Sequence, residues 1–221
     1  MTETENTGDR RGLLLRFLVT GIVLVLWFWT QSLIGARTAP TSGVGDALHN
    51  LTAGLNSYFA HNTGAANVLL VASSALIDAL GLFLLGRWLF GGTVRPFLGL
   101  FLLMAFRQLM QAICALPPPA NMIWHYPGFP SLLVTYHVAN DFFFSGHTAI
   151  AVFGAIELSR LRRNWLTVLA VLIVIFEVAT VLILRAHYTM DVFTGIVAAF
   201  WVAHLSERIS PRLDELIGSK A

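Results

Sequence analysis

Two short polar clusters in an otherwise apolar chain carry residue types that can move a phosphoryl group. One is Asp141-Phe-Phe-Phe-Ser-Gly-His147-Thr148; the other is Arg185-Ala-His187-Tyr188-Thr-Met-Asp191. His187 and Asp191 are four apart, so on a helix they share a face. A carboxylate there can accept from one imidazole nitrogen, fix the tautomer and leave the other nitrogen as nucleophile. His147, from a separate segment, can supply the proton that a leaving oxygen needs. Ser145, Gly146 and His147 fall at a helix start, where amide N–H groups and the dipole favour an anion. Gly146 lets the backbone approach a phosphoryl oxygen closely. The plainer reading is two interfacial histidines satisfied by water and a serine that caps a helix. It weakens because both clusters come at one depth with matching spacing.

The remaining histidines carry less. His49, His61, His125 and His137 are expected in solvated outer loops, and His204 at the far end of the last span. Two His and a carboxylate are also a common metal set. No further acids accompany them, so neither a metal nor another cofactor is expected.

The elements that must position these clusters are bilayer-length apolar runs of about 20 residues. Six are readable: Leu13–Ile34, Ala66–Phe90, Pro96–Leu116, His147–Arg160, Trp165–Leu184 and Met190–Leu205. The expected fold is all-α, a polytopic six-transmembrane-helix bundle forming one membrane domain over 1–221. The run after Arg10 and Arg11 is too long for a signal-peptide core, so it reads as a retained first span.

Arginines mark one side. Arg10, Arg11, Arg16, Arg87, Arg95, Arg160, Arg162, Arg163, Arg208 and Arg212 all fall on one face if the chain crosses six times. By the positive-inside rule that face, with the N-terminal tail 1–12, is cytosolic. The loops 35–65 and 117–146, and with them both clusters, then lie on the non-cytosolic side of a plasma or bacterial inner membrane. Within 35–65, Leu51, Leu55, Tyr58 and Phe59 recur at helical spacing, which fits a surface helix or a covering loop equally.

Composition supports a bilayer. The chain is 56% hydrophobic and 12% charged, against about 25% charge in soluble domains. Mean hydropathy is +0.71. These values exclude a disordered chain and oppose an ordinary soluble globule. The basic balance rests on scattered Arg, a topology signal and not a nucleic-acid surface. Cys114, the sole cysteine, permits no intrachain disulfide. Oligomeric state is not readable.

Arg107 sits nine residues before Leu116, about 13 Å deeper at the helical rise. Intramembrane charge is costly and needs a wet cleft or a partner. Arg107 therefore steers a phosphate, or pairs with Asp78 or Glu177. Arg185 can hold a phosphoryl oxygen or snorkel. Trp124, Tyr126 and Tyr136 can cage a quaternary ammonium or form an aromatic belt.

At Ser145-Gly-His-Thr148 after Asp141, His187-Tyr-Thr-Met-Asp191-Val, and Arg107 before Leu116-Pro117-Pro118-Pro119, the chain resembles the sphingomyelin synthase-like family. That family lies within the type 2 phosphatidic acid phosphatase superfamily. The resemblance covers roughly 66–205. It implies that His187 attacks phosphorus, Asp191 supports it, and His147 protonates the departing oxygen and then activates the acceptor. Asp141, Ser145, Gly146, Arg107, Arg185 and Tyr188 are expected on the substrate side. The partners implied are a phospholipid donor carrying a phosphocholine-like head group and an alcohol such as ceramide, or water in a phosphatase. Phe142–Phe144 departs from the more polar stretch of the animal synthases, and Val181 stands where the phosphatases carry Arg. A non-enzymatic transporter or scaffold is the remaining class; it predicts indifference to loss of either histidine.

Overall fold

The computed structural model describes residues 43–114, 116–134, 136 and 142–217, together with positions 18, 22, 25, 26, 28, 29 and 32. Met1–Gly45 and Asp46–Ala221 form two compact units. In the first, positions 18, 22, 25, 26, 28, 29 and 32 are helical and the Ser32 hydroxyl donates to the Trp29 carbonyl at 2.7 Å. Most of the expected span Leu13–Ile34 lies outside the described residues.

The second unit is built of helices: α1 (Ala47–Leu51), α2 (Ala53–His61), α3 (Thr63–Gly91), α4 (Arg95–Ile113), α5 (Gly146–Ser159), α6 (Asn164–Ile183) and α7 (Thr189–Ile217). No strand occurs among the described residues. Helices α3, α4, α6 and α7 are long and apolar enough to cross a membrane. Helix α5 has 14 residues, about 21 Å, short of the roughly 30 Å hydrocarbon layer. The described residues therefore show four candidate spans where six were expected.

Local chemistry sets the boundaries. Gly92 ends α3 in the left-handed conformation at φ 73°, which glycine adopts without cost. Pro96 occupies the first turn of α4, where its missing N–H does no harm. The sequence suggested that α4 would run to Leu116, but Cys114 is already extended, ahead of Pro117–Pro119. Helix α7 runs well past the expected Leu205, through Pro211, to Ile217. Its polar end is anchored: Asp214 accepts from the Val94 amide at 2.7 Å and the Thr93 hydroxyl at 2.8 Å.

Helix α5 is the hub. It packs on α3, α4, α6 and α7, and Gly146–Gly154 is buried throughout. An all-round apolar helix belongs inside. Small residues allow the close approach: a Cβ on Gly99 of α4 would overlap the Phe153 ring, and one on Gly154 would meet Leu80 at 2.9 Å. At the far end of α5, Glu157, 1% exposed, accepts from Arg95 at 3.2 and 2.9 Å and pairs with Arg160 at 3.3 Å. Glu157→Gln takes the paired carboxylate from Arg95, while Arg160 keeps Glu207 at 2.9 Å. Breaking a buried pair costs about 3–5 kcal/mol; Arg95 and Arg160 are 18% and 29% exposed, so the lower end is expected. Thermal unfolding in detergent will show the loss, while the chemistry at the other end of α5 persists in the protein that stays folded.

Candidate active site

The two clusters meet at the buried N-terminus of α5. Ser145 is its N-cap, accepting from the Thr148 amide at 3.4 Å and donating to the Thr148 hydroxyl at 3.0 Å. This satisfies an otherwise orphaned donor of the first turn. Backbone contacts then join the clusters. The Ser145 amide donates to the Asp191 carbonyl at 3.2 Å. Gly195 of α7 lies so near that a Cβ there would stand 2.8 Å from the Ser145 carbonyl oxygen.

Between them is a cavity of about 50 Å³ whose lining includes Ile77, Arg107, Trp124, Gly146, His147 and His187. One water takes roughly 10–15 Å³ on this measure, so the space suits a group of about three to five heavy atoms, a phosphoryl for instance. The first turn of α5 opens on it through Gly146 and His147, and a helix N-terminus favours an anion.

His187 is 6% exposed, and its Nδ1 lies 2.9 Å from the Phe142 carbonyl. A carbonyl only accepts, so Nδ1 carries the proton and the neutral ring keeps its lone pair on Nε2. The carboxylate expected in that role, Asp191, has Oδ2 3.8 Å from Nδ1, beyond a hydrogen bond. Asp191 sits in the first turn of α7, and its Oδ2 reaches back to cap the Tyr188 amide at 2.9 Å. It stands beside His187 as a negative charge, not as its hydrogen-bond acceptor. Asp191 is fully buried, and its Oδ1 has no partner among the described residues.

His147 is 8% exposed. Its ring meets Trp124 edge-on at 5.0 Å. Its Nε2 is buried without a hydrogen-bond partner among the described residues. Trp124 continues into Tyr136 at 5.4 Å and Tyr136 into Tyr126 at 6.0 Å, so the three aromatics form one run ending at the cavity. Arg107 lines the cavity, and its Nε donates to the Phe144 carbonyl at 3.1 Å. The two acids weighed as its partners have other ties: Glu177 accepts from Ser73 at 2.6 Å, and Asp78 binds the outer loop.

Other expected residues stand elsewhere. Arg185 does not line the cavity. It adopts φ 54° and donates to the carbonyls of Ala120 at 2.9 Å and His49 at 3.3 Å. Tyr188 donates its hydroxyl to the Pro117 carbonyl at 3.1 Å and stacks on His49. Asp141 and His137 lie outside the described residues.

His49, expected in a solvated loop, is 6% exposed, and its Nε2 donates to the His187 carbonyl at 2.9 Å. Asn56 donates to Ile183 and Asn121 carbonyls at 2.9 and 3.3 Å. The segment is helical, with Leu51, Leu55 and Tyr58 outward and these polar groups inward. The seven-residue spacing of His49 and Asn56 was the available signal. His125, too, is tied down, donating to Asn67 at 2.7 Å.

Asp46 caps α1 and accepts from the Thr189 amide at 2.6 Å and hydroxyl at 2.7 Å, fastening α1 to the start of α7. Burial acts to raise its pKa, but these bonds, the His49 amide and the His49 charge outweigh burial and lower it from 3.8. Its contribution to stability is therefore complete above pH 3.8 and is lost as pH falls through the lowered folded value. The Tyr188 hydroxyl is pushed up by burial and then by the nearby Asp191 and Asp46.

The comparisons with known proteins bear on the family and the fold. The chain is 22% identical over 192 residues to phosphatidylcholine:diacylglycerol cholinephosphotransferase 1 of Arabidopsis thaliana, covering 87% of this chain and 60% of that protein. It thus spans about three fifths of that relative. The crystal structure of Aquifex aeolicus LpxE superposes with a TM-score of 0.50 at 18% identity, covering 64% of this chain and 85% of the other; that likeness concerns the fold. Where the motifs suggested a sphingomyelin synthase-like relative, the family model that matches is that of AtPDCT1/2, over residues 45–208. The chain belongs to the AtPDCT1/2 family.

Proposed function

We propose that this integral membrane protein transfers phosphocholine from phosphatidylcholine to diacylglycerol through a phosphohistidine on His187. One observation carries the reading: His147 and His187 line one phosphoryl-sized cavity beside Arg107, and the Phe142 carbonyl leaves the His187 Nε2 lone pair available. The named activity of the Arabidopsis relative supports the choice of head group and acceptor over the ceramide that the motifs alone implied.

The steps balance. Nε2 of His187 attacks phosphorus, a P–N bond forms, and the P–O bond to the donor's glycerol breaks. Protonated His147 gives its proton to that oxygen, and diacylglycerol leaves. The phospho-imidazolium is positive, and buried Asp191 at 3.8 Å offsets that charge. The acceptor hydroxyl then gives its proton to His147 and attacks phosphorus, breaking P–N and restoring both rings. Arg107 and the first turn of α5 stabilise the phosphoryl oxygens throughout. The Trp124–Tyr136–Tyr126 run is placed to take the quaternary ammonium on its faces. The site opens on the non-cytosolic side, by the Arg placement; the short α5 and the first apolar run, counted with the four long helices, give six crossings.

The test uses purified protein in vesicles of head-group-labelled phosphatidylcholine with a diacylglycerol of distinct chain length. Label will appear on the new chain pair. Release of free phosphocholine independent of diacylglycerol would identify a hydrolase instead. Absence of both products overturns the enzymatic reading.

A further inference from the structure

The loop after α4 does something a surface loop would not. Its segment Phe129–Leu132 lies along the middle of α3, against Ala75, Asp78, Ala79 and Leu82. The next residue, Leu133, reaches Gly81, where an added Cβ would overlap it. Two helices give the depth of this level. Helix α5 spans about 21 Å, so its N-terminus stops about 9 Å short of a 30 Å hydrocarbon layer. Arg107, lining the same cavity, is six residues below the outer end of α4, again about 9 Å. Ile77, next to Asp78, lines that cavity too. The segment therefore reaches the depth of the active site, inside the outer leaflet.

Irregular backbone survives at such depth only with its polar groups satisfied. Asp78 supplies this. Its carboxylate accepts from the Leu132 and Leu133 amides, both at 2.9 Å, and from the Ser131 hydroxyl at 3.0 Å. The Ser131 oxygen in turn accepts from the Val134 amide at 3.1 Å. Side chains then divide by face. Phe129 and Leu132 are 48% and 66% exposed, facing away from the cavity, whereas Leu133 and Val134 line it. Hydrocarbon and reaction chamber are separated here by a single strand of chain.

We propose that Phe129–Val134 is a re-entrant side wall through which a lipid alcohol enters from the leaflet while water stays out. Asp78 is its positioning residue and so sets the choice of acceptor. The acceptor role rests on the transferase reading above; the depth of the wall does not.

The two parts are separately testable. With Cys114 replaced by Ser, a spin label at Leu132→Cys in phosphatidylcholine vesicles will collide more with oxygen than with a water-soluble nickel chelate. Asp78→Asn will reverse that preference. Equal access to the chelate in the parent protein overturns the wall. In the phosphocholine assay, Asp78→Asn will raise the ratio of released to transferred phosphocholine severalfold, and Ser131→Ala will raise it less. A merely structural role lowers both products together; an unchanged ratio overturns the acceptor role. Parent protein with no turnover removes that role along with the proposed function, and the label then decides the wall alone.

Discussion

His147→Gln will slow turnover of phosphatidylcholine far more than turnover of p-nitrophenyl phosphocholine, whereas His187→Gln will abolish both. The two rings share one cavity but have different work. A glycerol oxygen is a poor leaving group and needs a proton as its bond to phosphorus breaks. General acid catalysis contributes about 10²–10⁴-fold, so the lipid substrate should lose about that factor, or roughly 3–5 kcal/mol of barrier. Nitrophenolate leaves without a proton, so its release from the first half-reaction should fall only slightly. His187 supplies the bond to phosphorus in either case, and Gln has no equivalent nucleophile. Initial burst amplitudes with the nitrophenyl substrate give the readout. Equal losses for both substrates in His147→Gln would falsify the acid role, and a retained burst in His187→Gln would sink the covalent route. The contrast also discriminates against a general loss of folding, which cannot depend on the leaving group.

Much of this arrangement was legible before the fold was known, because it follows from alternation. Segments that begin at the same membrane face must bring their first residues to one depth, and both clusters begin such segments. The capping role of Ser145 was legible too, since a hydroxyl three residues before Thr148 suits an N-cap. What escaped is mostly buried polar contact. His49 was expected in a solvated loop, and Asn56 was not singled out, because their partners are backbone carbonyls of His187, Ile183 and Asn121, which sequence does not display. Asp191 was expected on the imidazole from spacing alone. His187 precedes α7 and does not belong to it, so the i,i+4 rule did not apply, and the carboxylate turned to its own helix end. Arg185 was read by proximity to His187, yet its φ of 54° aims it at the outer loops. The depth of the 129–134 segment was hidden as well: Asp78 looked like a possible mate for Arg107, and nothing local says that its partners are amides over fifty residues away.

Gly195→Ala is expected to cost at least tenfold in phosphocholine transfer with a much smaller change in thermal stability. The added Cβ would stand 2.8 Å from the Ser145 carbonyl oxygen and 3.5 Å from the Ala149 amide nitrogen. Both are backbone atoms of the first turn of α5, so no side chain can swing aside. Helix α7 must shift outward, which stretches the Ser145–Asp191 backbone bond and draws His187 away from His147. Each ring keeps its own packing, so the bundle survives; the distance across the cavity does not. A displacement of about 1 Å can cost 10²-fold where two groups must meet one atom. Gly146→Ala is the control. Its Cβ would meet Arg107 at 2.9 Å, and a guanidinium arm can give way, so that variant perturbs phosphate binding and raises KM more than it lowers kcat. Gly195→Ala should do the reverse, lowering kcat with KM little changed. Full kcat in Gly195→Ala would mean that the spacing of α5 and α7 does not set the reaction geometry, and the two-histidine mechanism would lose its structural basis.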